Sequence, residues 1–163
     1  MNELMKEESR TVVSDDTVLR EKKLGINGDA IVVVDDDPND ALLTKRGLTG
    51  LGLRNPIRIV LSGRELMSYL EGEGLYRDRL RFPYPTLILL DLHMPEKDGF
   101  AVLEWLRDHP VHSGISTVIL SGSDELRRVT KAFQLGAKTF FTKPFNPVDL
   151  ETAARDHGIN IKF

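Results

Sequence analysis

Ile31-Val32-Val33-Val34-Asp35-Asp36-Asp37 decides the reading of this chain: four consecutive apolar residues run straight into three carboxylates. Three later segments repeat the pattern with other polar endings. Leu87-Ile88-Leu89-Leu90 runs into Asp91, Thr117-Val118-Ile119-Leu120 into Ser121, and Thr139-Phe140-Phe141-Thr142 into Lys143-Pro144. Continuous apolar runs suit parallel strands buried on both faces. Ligands of an open parallel sheet bind just outside the carboxyl ends of its strands. Acids, a hydroxyl and an ammonium are therefore expected on one small patch, a set suited to a divalent cation and a phosphoryl group.

The segments between these strands read as helices. Asp37-Pro38 offers an N-cap followed by proline at the first helical position, and Ala41, Leu42, Leu43 and Leu48 supply the apolar residues of a helix that should stop near Gly50 or Gly52. Ile57, Ile59 and Leu61 alternate as a further strand. Ser62-Gly63-Arg64-Glu65 is a capping box for a helix closing near Gly72 or Gly74. A helix carrying Phe100, Val102, Leu103, Trp105 and Leu106 should end before Pro110, one capped by Ser123-Asp124 should run to Gly136, and a last one should span Pro147 to His157. Five strands alternating with five helices predict a doubly wound α/β fold with a five-stranded parallel sheet and helices on both faces. Residues 72–85, rich in arginine, proline and aromatics, make an unusually long connection. Residues 1–28 lack periodicity and read as a mobile or loosely docked tail, 29–157 as the domain, and 158–163 as a C-terminal tail.

The 163 residues fit one domain with a modest core, and the net charge of -3 gives no reason to expect nucleic-acid binding. The absence of cysteine excludes thiol catalysis, disulfides and thiolate metal sites. No signal-peptide core and no membrane span is legible, so a cytoplasmic protein is the expectation.

Asp35, Asp36 and Asp91 supply oxygen ligands of the kind Mg²⁺ prefers, and a cation relieves the repulsion among them. Asp91 can also act as a nucleophile and form an aspartyl phosphate. A transferring phosphoryl group spreads charge over three oxygens, which a metal, the Lys143 ammonium and the Ser121 hydroxyl can each stabilise.

Val34-Asp35-Asp36-Asp37-Pro38-Asn39-Asp40, Leu89-Leu90-Asp91-Leu92-His93-Met94-Pro95 with Asp98-Gly99, Leu120-Ser121-Gly122 and Phe140-Phe141-Thr142-Lys143-Pro144-Phe145 together resemble the signature of response-regulator receiver domains of two-component signalling. The resemblance covers roughly residues 30–157 and implies a flavodoxin-like receiver fold. It implies that Asp91 accepts a phosphoryl group from a sensor histidine kinase or phosphotransfer protein. It further implies that Asp36 ligates Mg²⁺ directly, Asp35 mainly through water, and His93 through its backbone carbonyl. Lys143 pairs with the phosphoryl group, Ser121 bonds one of its oxygens, and Phe140 takes the place of the switch aromatic. Where the family often has threonine, Ser121 keeps the hydroxyl. Phe140 lacks the phenol that a tyrosine would offer. The long connection resembles that of stand-alone receivers related to phytochrome-type regulators. Too few residues follow the receiver for a DNA-binding or enzymatic module, so signalling by contact with a downstream protein, rather than enzymatic turnover, is expected.

Two other functions compete. Haloacid-dehalogenase-like phosphatases also use a strand-end Asp-x-Asp, which Asp35-x-Asp37 mimics, followed by Ser and Lys, but they need a late acidic motif where only Asp149, Glu151 and Asp156 occur. A receiver-like scaffold that is never phosphorylated would not need the intact set of site residues. His93, His109, His112 and His157 show no metal-ligand spacing, and His109 and His112 read as surface-loop residues; the His93 side chain is placed at the mouth of the site. Trp105 reads as core. Arg77, Arg79 and Arg81 read as a solvated loop edge or a partner-docking element. Ile159, Ile161 and Phe163 alternate like an edge strand and should pack on the chain's own domain or across a homodimer interface.

Overall fold

The computed structural model describes residues 28–94, 99–122 and 126–163. Within them β1 (Ala30–Val34), α1 (Pro38–Gly50), β2 (Ile57–Val60), α2 (Gly63–Glu71), a 3₁₀ turn (Gly74–Arg77), β3 (Pro85–Asp91), α3 (Gly99–Asp108), β4 (Ser116–Ser121), α4 (Leu126–Gln134), β5 (Thr139–Thr142) and α5 (Pro147–His157) follow one another. The sheet is parallel throughout, in the order β2-β1-β3-β4-β5.

Alternation along each strand divides the core in two. Val32, Val34, Ile88, Leu90 and Ile119 face one layer, packed with Leu66, Tyr69 and Leu70 of α2, Val102, Leu103 and Leu106 of α3, and Ala132 of α4. Ile31, Val33, Leu87, Leu89, Val118 and Leu120 face the other, against Ala41 and Leu48 of α1 and Leu150 and Ala154 of α5. This two-sided burial is why the strands read as unbroken apolar runs.

The helix ends follow the sequence signals. The Asp37 carboxylate accepts the N–H of Asn39 at 2.9 Å and of Asp40 at 3.4 Å, and Pro38 opens α1. Ser62 accepts the Glu65 N–H at 3.0 Å, while the Glu65 carboxylate reaches one residue beyond the usual box, to the Leu61 N–H at 2.8 Å. Gly72 and Gly158 close α2 and α5 in the left-handed conformation. The cap expected at Ser123-Asp124 lies outside the described residues, as does the tail up to residue 27.

Of the apolar residues that α1 carries, Ala41 and Leu48 are buried and Leu42 and Leu43 are exposed. Three expectations are corrected. Trp105 is half-buried and sits beside His109 and His112 at ring separations of 5.0 and 5.4 Å. The 72–85 connection is a packed element: Tyr76 lies tilted and Phe82 edge-on against Tyr69, and Arg79 is neither a solvated loop edge nor available to a partner, because its guanidinium donates to the carbonyls of Tyr69 and Leu70 at 2.8 Å each. The C-terminal segment forms no strand. Its backbone instead meets a loop and side chains: the Arg54 N–H donates to the Lys162 carbonyl, the Lys162 N–H to Asn55 Oδ1, and Thr86 Oγ1 to the Asn160 carbonyl. Ile159 is buried against α5 and β1 on the chain's own domain, whereas Phe163 stays 44% exposed.

Candidate functional site

Asp35 follows β1, Asp91 and Ser121 end β3 and β4, and Lys143 follows β5, so the parallel sheet delivers all four to one edge. Asp35 and Asp91 are buried and Asp36 is exposed. One carboxylate oxygen from each of the three lies within 4.8 Å of the others. Lys143 Nζ donates to Asp35 Oδ2 at 2.7 Å and to Asp91 Oδ2 at 3.2 Å, and lies 3.6 Å from Asp40, a residue the strand-end pattern did not single out as part of the site. Backbone groups fix the two buried acids: the Asp37 N–H donates to Asp35 Oδ1 and the His93 N–H to Asp91 Oδ1, both at 3.0 Å.

Burial pushes the Asp91 carboxyl above its ordinary value, helped by the Asp35 charge; the His93 N–H and Lys143 work against this and do not cancel it. Burial alone would lower Lys143, but its contacts with Asp35 and Asp91 prevail and hold the ammonium above its usual value. Two acids share one lysine, leaving negative charge that a divalent cation would neutralise. Donor type, spacing and charge thus all fit a hard cation bound by Asp35, Asp36 and Asp91.

Gly99 explains why the signature needs glycine. A Cβ there would come within 2.7 Å of Leu92 Cα and 2.9 Å of the Asp91 carbonyl oxygen, so α3 can begin against the Asp91 turn only without a side chain. Ser121 is buried, its hydroxyl donating to the Gly122 carbonyl at 3.3 Å and its own carbonyl accepting the Lys143 N–H at 2.8 Å. Phe140 lies opposite Ile119 on β5, partly buried, edge-on to Phe133. The His93 side chain is exposed and accepts from Arg128 at 2.8 Å. A cleft of about 400 Å³ opens beside Lys143, between α1 and the loop that leads into α5.

The family model of the response regulator receiver domain matches residues 31–155, and the chain belongs to that family. Response regulator Rcp1 of Synechocystis sp. is 32% identical over 120 residues, 74% of this chain and 80% of that protein. Transcriptional regulatory protein GltR of Pseudomonas aeruginosa is 30% identical over 78% of this chain, which spans only 48% of the relative's length. Among solved structures, the bacteriophytochrome response regulator AtBRR matches with a TM-score of 0.73 at 29% identity, over 84% of this chain and 97% of that one. The Mn²⁺-bound form of Rcp1 matches with a TM-score of 0.65 at 28% identity, over 81% and 95%. The chain is a receiver domain of a response regulator, a phosphorylation-dependent signalling switch. Receiver domains bind a divalent metal in the active site and are phosphorylated by histidine kinases. Among the described residues no helix is long and apolar enough to cross a membrane.

Proposed function

We propose that Asp91 is the phosphoacceptor, that Mg²⁺ is the resident ion, held by Asp35, Asp36, Asp91 and the His93 carbonyl, and that Lys143, Ser121 and Phe140 carry the response. The observation behind this reading is the sharing of the Lys143 ammonium between the two buried carboxylates Asp35 and Asp91. An Asp91 oxygen bonds to phosphorus as the P–N bond of a phosphohistidine breaks, and the departing imidazole takes a proton from solvent. The bound ion supplies positive charge against the acids and the phosphoryl oxygens. Lys143, already within reach of Asp91, pairs with the phosphoryl group. Ser121 turns its hydroxyl from the Gly122 carbonyl to a phosphoryl oxygen, and Phe140 moves into the space vacated.

The donor is a sensor histidine kinase or a phosphotransfer protein. A kinase of the phytochrome type is the first to test, because a matching structure is a bacteriophytochrome response regulator. Output runs through contact with a downstream protein in the cytoplasm, without turnover of a separate substrate. The phosphatase alternative is not favoured: the second acid of its Asp-x-Asp would be Asp37, whose carboxylate is occupied in capping α1.

A phosphoryl group shifts the two states only by its differential affinity for them, so the surface around Ser121 and Phe140 should respond to a mimic. Hydrogen exchange with Mg²⁺ and beryllofluoride is expected to change in residues 120–145 while β1 and β3 stay protected. Unchanged exchange across that stretch would contradict the switch.

A further inference from the structure

At the other end of the sheet, away from Asp91, three side chains converge that the receiver site does not use. Glu71 is the last residue of α2, and His109 and His112 lie in the turn between α3 and β4. Glu71 Oε1 lies 2.9 Å from His109 Nε2 and 3.4 Å from His112 Nε2, and one donor atom from each of the three lies within 4.8 Å of the others. The imidazole rings stack at 4.0 Å between centroids. His112 is 3% exposed, yet its Nε2 makes no hydrogen bond. A buried polar atom in that condition calls for an explanation.

We propose that Glu71, His109 and His112 form a site for a divalent first-row transition ion, with zinc the best chemical match. Two imidazoles and a carboxylate are a donor set that zinc accepts, with metal–ligand bonds of about 2.0–2.2 Å, which places neighbouring ligand atoms roughly 3–3.5 Å apart. The observed 2.9 and 3.4 Å separations from Glu71 already sit close to that range. The orphaned His112 Nε2 supplies a ligand, and its other nitrogen, Nδ1, is hydrogen-bonded to the Tyr84 hydroxyl, the outer partner that orients a metal-bound histidine.

Two features oppose the ion. Arg79 lines the same small cavity, of about 100 Å³, although its guanidinium is turned onto the Tyr69 and Leu70 carbonyls. His109 Nδ1 accepts the N–H groups of Val111 and His112 at 3.1 and 3.3 Å, which places the proton of the neutral ring on Nε2, facing Glu71. The ion takes that proton's position, and the proton passes through solvent to Nδ1 at the expense of the two backbone bonds, so that the ring binds as a neutral imidazole. Once bound, the ion ties the end of α2 to the α3–β4 turn, a staple independent of Asp91.

The test uses the untagged full chain, stripped with a chelator and held in excess Mg²⁺ so that the carboxylates around Asp91 are occupied. Titration with Co²⁺ is expected to give visible absorption bands saturating at one equivalent, which Zn²⁺ then abolishes. His109→Ala and Glu71→Gln, both in partly exposed side chains, should each weaken binding by about 100-fold or more, since loss of even an outer partner costs about 10–100-fold. Far-ultraviolet circular dichroism confirms that both variants fold. Absence of the bands, or binding that survives both substitutions, overturns the site and leaves Glu71 as a carboxylate paired with His109 alone.

Discussion

Replacing Lys143 with methionine is expected to lower the thermal midpoint by about 10 °C in metal-free buffer at pH 7. The substitution leaves Asp35 and Asp91, 1% and 5% exposed, with no cation between them. Breaking a buried ion pair by removing one partner costs about 3 kcal/mol or more, and 1 kcal/mol corresponds to about 2–4 °C for a chain of this size. Mg²⁺ should restore part of the loss, because it stabilises the folded form that binds it. The pH dependence has a definite sign. Asp91 has its carboxyl raised in the folded protein, so its ionised form opposes folding above that raised value, and the opposition fades as pH falls toward about 4. Without Lys143, which works against that rise, the Asp91 carboxyl is raised further, so the deficit of the variant should shrink between pH 7 and pH 4. Lys143 itself, held above its ordinary value, stays charged over that window and adds no slope. A deficit that is constant or grows in acid would place the loss somewhere other than these carboxylates.

Arg79→Met is expected to cost about 2 kcal/mol, or roughly 6 °C, within the range for hydrogen bonds made by a charged group. Two 2.8 Å bonds to the end of α2 disappear, together with the guanidinium's contacts over the Tyr69 and Tyr84 rings at 5.9 and 5.7 Å. Arg77→Met and Arg81→Met, at exposed side chains, should stay within about 0.5 kcal/mol of the parent. Thermal melts of the three variants decide the matter. Equal losses at all three positions would mean that the connection is held by its overall charge and not by Arg79.

These two residues mark the boundary of what the chain reveals before it folds. Lys143, Asp35, Asp91 and Ser121 were legible because each directly follows or ends an apolar strand, and parallel strands carry such residues to a common edge. That inference needs only that the strands run parallel, which the alternation of apolar runs with helical segments makes legible. Arg79 sits in a stretch with no periodicity, and its role depends on which carbonyls the chain folds back to meet. Glu71, His109 and His112 are hidden for the same reason: the acid ends one helix, the histidines follow the next, and only the packing of α2 beside α3 joins them. The two histidines were therefore read as loop residues, whereas His112 is buried against Tyr84. The C-terminal segment failed differently. Its period-two apolar residues promised a strand, but the groups it meets are a loop N–H, an asparagine side chain and a threonine hydroxyl, so burial of Ile159 was legible and a ladder was not.

The central claim, that Asp91 is the residue modified, is tested most directly by intact-mass analysis after incubation with acetyl phosphate or beryllofluoride in the presence of Mg²⁺. One adduct is expected on the parent chain and none on Asp91→Asn, with Asp36→Asn reduced because the ion is held less well. An adduct of unchanged yield on Asp91→Asn would contradict the account.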